Sequence, residues 1–229
     1  MTAAPNPAPP TRIQRNVLAR GEQRLLQWLC PRLPAWLTPD RLTGLAMVAA
    51  VVICAGYALS NEHPAWLALS VAGYFVHWFG DSLDGTIARF RRIERPRYGY
   101  FIDHSCDGLA TLLIVGGIGA SPYLRLDVAL FVVVGYLLMS VHTFLLAKVS
   151  GEFQLSHLGA GPTELRIILI LLTLGMAVAG PGVARAWGFT LFDWIFGGSA
   201  AVLIVLFGIE TLRKGYALAA IDRGNQTIR

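Results

Sequence analysis

Charged residues are scarce in this chain. Of its 229 residues, 14% are Asp, Glu, Lys or Arg, whereas a soluble globular domain has about 25%. Apolar residues make up 55% of the chain, and the mean hydropathy is +0.54. This composition excludes a water-soluble globular protein and an intrinsically disordered one.

Cysteines are also few, and no stretch of the chain alternates apolar and polar residues with a period of two. The three cysteines, Cys30, Cys54 and Cys106, form no C-x-x-C pair, so we expect neither a disulfide scaffold nor a zinc ribbon nor an iron–sulfur ferredoxin. The missing alternation argues against a membrane β-barrel.

Long apolar stretches are what the chain does contain. They cover residues 42–59, 65–80, 108–120, 128–147, 167–179 and 190–209. A helix that spans a bilayer needs about 20 residues, within a range of about 17–25. The first, fourth and sixth stretches are long enough, and the other three reach that length when they include flanking residues. We therefore predict an all-α membrane protein with six transmembrane helices.

The basic residues predict the orientation of these helices. Seventeen of the nineteen lysines and arginines precede the first stretch, follow the sixth, or lie in the two connections on that same side. Only Arg125 and Arg185 lie in the opposite loops. Because cytoplasmic loops carry the excess of Lys and Arg, we expect both termini in the cytoplasm, with the protein in a bacterial inner membrane. The basic residues form no single continuous face, so a nucleic-acid partner is not expected.

The apolar stretches and the basic residues divide the chain into four segments. We expect residues 1–11, which are rich in proline, to be a disordered tail. Residues 12–33 mix arginines with leucines and a tryptophan, which predicts an amphipathic helix in the membrane interface, although a solvated cytoplasmic arm remains an alternative. Residues 34–215 would form the transmembrane catalytic domain, and residues 216–229 a cytoplasmic tail.

Four aspartates lie where the second and third transmembrane helices must extend to reach spanning length. Asp81 and Asp84 are three residues apart, and Asp103 and Asp107 are four apart, so each pair occupies one face of its helix. The connection between them is short, which predicts that the two helices are antiparallel neighbours and that the pairs face each other. An aspartate at a helix centre costs about 2.5–3.5 kcal/mol on insertion scales. Hard oxygen ligands suit Mg²⁺, Mn²⁺ or Ca²⁺, and two ions would offset the repulsion.

Small residues lie next to these carboxylates. Gly85, Ala88 and Gly99 would leave a gap in which a ligand approaches the backbone, and Arg89 beside the gap suits a bidentate contact with a phosphate. Metal ligands, arginine and gap together indicate a phosphate site at the membrane surface. The alternative is a purely structural one, in which the aspartates pair with neighbouring arginines of the same segment to hold the helices together.

The segment resembles the signature of the CDP-alcohol phosphotransferase family, D-x-x-D-G-x-x-A-R followed, after a short spacer, by G-x-x-x-D-x-x-x-D. All eight fixed positions match, and the spacer has nine residues here. The resemblance implies that a CDP-linked alcohol donates its substituted phosphate to an acceptor alcohol, one of the two being a lipid, with release of CMP. It also implies a cofactor, Mg²⁺ or Mn²⁺, as two ions, and a homodimer.

The same resemblance implies roles for individual residues. By matching position, Asp81, Asp84 and Asp103 would be metal ligands, and Asp107 would be the general base and a further ligand. The residues that would border the nucleotide are Asp81, Gly85, Ala88, Arg89 and Gly99.

Shorter strings tilt the resemblance towards the choline and ethanolamine phosphotransferase branch. The sequence D-H-S-C-D at 103–107 is similar to the D-H-G-C-D of that branch, and G-P-T-E at 161–164 is similar to its G-P-x-E. The sequence T-P-D-R-L-T at 38–43 resembles the family's P-N-x-x-T entry to the first helix, with Asp40 in place of Asn. The donor remains open between CDP-diacylglycerol and a CDP-linked head group.

Four further residues are candidates for acceptor contacts or for supporting the metal ligands. They are His77, His104, Glu164 and Arg166. For each of them, an ordinary structural contact with a neighbouring helix is the alternative interpretation.

Two other functions compete with phosphotransfer. An aspartate-rich membrane prenyltransferase also binds a diphosphate through Mg²⁺, but enzymes of that kind are longer and lack the G-x-x-A-R element. A non-catalytic cation-binding membrane protein or transporter would need acidic residues distributed across the bilayer, whereas here they cluster at one depth.

Overall fold

The computed structural model describes residues 11–13, 18–150, 152–154 and 161–226. The predicted tail 1–11 lies outside these ranges except for its last residue. The helices are α1 (Ala19–Leu29), α2 (Pro39–Leu59), α3 (Leu67–Arg91), α4 (Pro96–Gly119), α5 (Leu126–Ser150), α6 (Pro162–Ala179) and α7 (Leu191–Gln226). Two short 3-10 turns cover Cys30–Arg32 and Pro64–Trp66, and the strands β1 (Thr11–Ile13) and β2 (Glu152–Gln154) pair in parallel.

The protein is an integral membrane protein built from helices. Within the described ranges, five helices, α2 and α4 to α7, are long and apolar enough to cross a membrane. Helix α3 has 25 residues but is not among them, and its second half carries two aspartates and two arginines. The prediction of helical membrane segments is therefore confirmed, whereas the structure supports five spans rather than all six.

Local sequence signals explain where several helices begin and end. Pro39, Pro96 and Pro162 each occupy the first turn of a helix, where a missing backbone N–H costs nothing. The Thr38 side chain accepts a hydrogen bond from Arg41 N and so caps α2. Helix α3 ends where Arg92 adopts a left-handed conformation with φ of 57°, and the chain turns at once into α4.

Helix α2 is the common packing partner of α3 and α4, which pack against it rather than against each other. Glycines at both contacts explain this arrangement, since small residues let helices approach closely. A Cβ atom at Gly80 of α3 would lie 2.6 Å from the Leu42 carbonyl oxygen, and one at Gly117 of α4 would lie 2.7 Å from the Cys54 Cα atom. Helices α3 and α4 therefore do not pack against each other as their short connection had predicted, although the charges of their aspartates interact.

A buried chain of hydroxyl groups connects α2, α3 and α6. The Tyr57 hydroxyl lies 3.1 Å from the Tyr74 hydroxyl and 2.5 Å from Thr173 Oγ1, which itself donates to the Leu169 carbonyl oxygen. Because Thr173 already donates its hydroxyl proton to Leu169, Tyr57 must donate to Thr173, and Tyr74 in turn donates to Tyr57. These bonds satisfy polar groups in the apolar core, where an unpaired hydroxyl is costly.

Helix α1 lies across the ends of α2 and α3. Leu26 on its inner face, and Cys30 directly after the helix, pack in a small apolar cluster that includes Leu83 and Ile87 of α3, whereas Leu25 and Trp28 point outward. The helix therefore has an apolar inner face and a mixed outer face. It covers only part of the predicted segment 12–33.

The last helix extends into the segment that was predicted to be a tail. Helix α7 continues without a break from Leu191 to Gln226. The predicted tail at 216–229 therefore begins inside α7.

Candidate active site

Asp103, His104 and Asp107 form a cluster on α4. Each offers one ligand atom, and these atoms lie within 4.8 Å of one another. His104 Nδ1 is 3.5 Å from Asp107 Oδ2 and 3.9 Å from Asp103 Oδ2. The Tyr100 ring packs against the imidazole edge to face at 4.4 Å, and the Phe144 ring lies 5.1 Å from it. These two rings orient His104 towards the carboxylates.

Asp84 on α3 is held from two sides. Thr43 Oγ1 of α2 donates a hydrogen bond of 2.6 Å to Asp84 Oδ2, and Gly85 N donates one of 2.5 Å to Oδ1. Charge-assisted bonds of this kind are stronger than neutral ones. Helix α2 therefore orients a carboxylate that belongs to α3.

Asp81, one turn earlier on α3, forms an ion pair with Arg166 of α6. The Arg166 side chain is 12% exposed and that of Asp81 is 21% exposed, so the pair is largely shielded from water. Arg166 Nη1 is buried and has no hydrogen-bond partner among the described residues, and the same holds for Nδ1 of His77. His77 is buried one turn before Asp81, next to the ion pair.

The four carboxylates are near enough for their charges to act on one another. Asp84 interacts electrostatically with Asp81 and Asp107, and Asp103 interacts with the other three. Like charges repel each other more strongly in a medium of low dielectric constant than in water. An oxygen-rich donor set with excess negative charge fits hard divalent cations such as Mg²⁺ and Mn²⁺.

The structure divides the predicted ligands into one cluster and two separately held residues. Asp103 and Asp107 share one cluster with His104, while Asp81 and Asp84 have their own partners on α6 and α2. The spacing of His104 and Asp107, three residues apart, is the sequence signal that places the imidazole beside the carboxylates. The role of Thr43 was missed, although it stands in the string at 38–43 that opens α2.

The small residues predicted to leave a gap do adjoin open space. Among the residues that the structure describes, a Cβ atom at Gly99 would meet no neighbouring atom within 4 Å, and the nearest atoms to one at Gly85 would be those of the Arg89 guanidinium, at 3.4 Å. Arg89 is exposed and donates to Thr86 Oγ1 at 3.3 Å. Ala88 lies half-buried one position before it. An arginine thus stands at the rim of a gap beside Asp84.

Two other residues singled out from the sequence, the candidate Glu164 and Asp40 of the string at 38–43, have structural contacts. Glu164 Oε2 accepts a hydrogen bond from Gly161 N and caps α6, while Oε1 accepts one from Leu18 N next to α1. Asp40 forms an ion pair with Arg95 at the start of α4. The contacts of Glu164 with Leu18 and of Asp40 with Arg95 link segments that are distant in the sequence.

A family model for CDP-alcohol phosphatidyltransferases matches residues 36–211. The chain belongs to this family. The match covers α2 to α6 and the first part of α7, and it includes every carboxylate of the site. Members of the family depend on divalent metal ions, which agrees with the donor set described above.

Curated relatives of the chain come from vertebrates and from an archaeon. The chain is 29% identical to cholinephosphotransferase 1 of Gallus gallus over 181 residues, which cover 74% of this chain and 52% of that protein. It is 36% identical to cholinephosphotransferase 1 of Danio rerio over 107 residues, or 42% of this chain and 28% of the relative. It is also 26% identical to an archaetidylinositol phosphate synthase of Pyrococcus horikoshii over 136 residues, or 59% of this chain and 68% of that protein. The matched region thus spans about half, or less, of the length of these cholinephosphotransferases.

Proposed function

We propose that this protein transfers a substituted phosphate group from a CDP-linked alcohol to an acceptor alcohol and releases CMP, in the synthesis of a phospholipid. The observation that carries the proposal is the cluster of Asp103, His104 and Asp107, placed within electrostatic range of Asp81 and Asp84 inside the matched family region. Neither a prenyltransferase nor a non-catalytic cation-binding protein accounts for the family match.

The reaction exchanges one phosphorus–oxygen bond for another. The acceptor hydroxyl oxygen forms a bond to the phosphorus that carries the donor alcohol. The bond from that phosphorus to the bridging oxygen breaks, and CMP leaves with this oxygen. Asp107 takes the hydroxyl proton as general base. His104 Nδ1, 3.5 Å from Asp107 Oδ2, stabilises the charged carboxylate that accepts the proton.

Asp81, Asp84, Asp103 and Asp107 are the proposed ligands for two Mg²⁺ or Mn²⁺ ions. When bound, such ions neutralise the charge of a diphosphate and stabilise the departing CMP. Contacts within the protein orient these carboxylates for metal binding. The hydrogen bond from Thr43, for example, fixes the direction of Asp84.

The nucleotide lies, in this proposal, in the gap beside α3. Gly85, Ala88 and Gly99 provide the room, and Asp81 borders it. Arg89 contacts a phosphate with its exposed guanidinium, whose planar fork matches phosphate oxygens.

We further propose that all six helices α2 to α7 span the membrane, with both termini and the site at the cytoplasmic side. Helix α3 then spans with its carboxylates at the cytoplasmic edge, where a soluble nucleotide has access and lipid chains stay in the bilayer. The outward Leu25 and Trp28 support a position of α1 in the membrane interface. A homodimer in a bacterial inner membrane completes the proposal.

The substrates are one water-soluble molecule and one lipid. The strings at 103–107 and 161–164, together with the cholinephosphotransferase relatives, favour a CDP-linked head group as donor and a diacylglycerol as acceptor. A donor of the CDP-diacylglycerol type is the second candidate, because the archaeal relative is an archaetidylinositol phosphate synthase.

A panel of substrates tests the proposal. Purified protein receives each CDP-linked donor with each acceptor class, and CMP release is measured with Mg²⁺, with Mn²⁺ and with a chelator, while mass spectrometry identifies the product. We expect one donor–acceptor pair to give metal-dependent CMP and a phosphodiester product. Absence of CMP release with every pair, from protein that binds Mn²⁺, would contradict the proposed function.

A further inference from the structure

The carboxylate of Glu22 on α1 connects three helices through a single oxygen atom. Its Oε1 accepts hydrogen bonds from Trp78 Nε1 at 2.9 Å and Ser82 Oγ at 3.0 Å, both on α3, and from Thr163 Oγ1 at 2.7 Å on α6. All four side chains are half-buried. Hydrogen bonds to an ionised acceptor are stronger than neutral ones. One carboxylate of α1 therefore links the middle of α3 to the first turn of α6.

These donors lie directly beside the proposed metal ligands. Ser82 follows Asp81 in α3, and Thr163 lies three residues before Arg166 in α6. The ion pair between Asp81 and Arg166 connects the same two helices as Glu22 does. The separation of α3 and α6 at this contact therefore decides where Arg166 lies relative to Asp81.

We propose that Glu22 is a positioning residue for the candidate active site. By holding α6 against α3, it sets Arg166 beside Asp81 and so fixes the direction in which the Asp81 carboxylate points. This role rests on the proposed function, in which Asp81 is a ligand of a divalent ion. Groups that orient a ligating carboxylate from outside change metal affinity or activity by about 10–100-fold when they are removed.

Other contacts keep α1 in place when Glu22 is changed. Leu26 of α1, and Cys30 directly after the helix, pack against α3, and the Leu18 backbone N–H donates to Glu164 Oε1 of α6. Loss of the Glu22 carboxylate should therefore alter the spacing of α3 and α6 without detaching α1. This separates a positioning effect from a general loss of fold.

The experiment uses the full chain purified in lipid nanodiscs, with three variants. Glu22→Leu removes the acceptor, Glu22→Gln keeps an oxygen acceptor for the same donors, and Gln23→Leu is a matched control at the neighbouring exposed position of α1. Binding of Mn²⁺ is measured without substrate by electron paramagnetic resonance, next to Mn²⁺-dependent CMP release and the thermal unfolding midpoint.

We expect Glu22→Leu to weaken Mn²⁺ binding by about tenfold, while the unfolding midpoint stays near that of the wild type. Glu22→Gln and Gln23→Leu should bind Mn²⁺ like the wild type. Thr163→Val should weaken binding less, and it should add nothing in the Glu22→Leu background, because residues that act through one contact are not additive. If Glu22→Leu does not fold, the Ser82→Ala, Thr163→Val double variant removes two donors without changing α1 and should weaken Mn²⁺ binding.

Each remaining outcome has a distinct meaning. Unchanged Mn²⁺ binding in Glu22→Leu, or an equal loss in Gln23→Leu, would overturn the positioning role. Wild-type protein that binds Mn²⁺ but releases no CMP from any donor would contradict the proposed function alone. Wild-type protein that binds no Mn²⁺ would overturn both, because Glu22 would then have no metal ligand to position.

Discussion

Replacement of Thr43 by valine tests how α2 contributes to the site. Valine has nearly the same shape but lacks the hydroxyl, so the 2.6 Å hydrogen bond to Asp84 Oδ2 is lost. A hydrogen bond to a charged group contributes about 1.5–3 kcal/mol. Asp84 keeps its second donor, Gly85 N, which argues for the lower end of this range. Because about 1.4 kcal/mol corresponds to a factor of ten, we expect metal affinity to fall by about tenfold.

The assay is CMP release as a function of Mn²⁺ concentration at saturating donor. We expect the Mn²⁺ concentration for half-maximal rate to rise in Thr43→Val and to return to the wild-type value in Thr43→Ser, which restores the hydroxyl. The unfolding midpoint serves as a control, since Thr43 is only half-buried. Equal Mn²⁺ dependence in Thr43→Val and wild type would refute the idea that this bond orients a metal ligand.

Three further predictions concern the base, the gap and the core. Asp107→Asn should lower the rate of CMP release by at least about 100-fold while donor binding persists, and a rate near wild type would exclude Asp107 as the base. Gly85→Leu should raise the KM for the CDP-linked donor, because its side chain would fill the gap beside Arg89; an unchanged KM would place the nucleotide elsewhere. Tyr57→Phe should lower the free energy of unfolding by about 1–3 kcal/mol, since Tyr74 and Thr173 lose their shared partner, and equal denaturation curves would contradict this.

The proposed metal ligands on α3 and those on α4 are held in place in different ways. Helix α4 supplies Asp103, His104 and Asp107 within a single turn, so their mutual geometry depends on one helix. Asp81 and Asp84 of α3 depend on partners from α6 and α2. A disturbance of helix packing should therefore affect the α3 ligands before it affects those of α4.

The sequence alone determined that this is a helical membrane protein, where most of its helices lie, and which aspartates are candidate metal ligands. Apolar runs and the spacings of Asp81, Asp84, Asp103 and Asp107 are local properties, and local periodicity places side chains on one face of a helix. The resemblance to the family signature rested on the same short segment, and the family match confirmed it.

Only the tertiary structure decided which helices are neighbours and which residues hold the carboxylates. Close contacts at Gly80 and Gly117 pack both α3 and α4 against α2, although the short connection had predicted that they pack against each other. Thr43 meets Asp84 across 41 positions of the chain, and Glu22 meets Thr163 across 141. No helical period relates residues so far apart, because their proximity follows from how complementary helix surfaces pack.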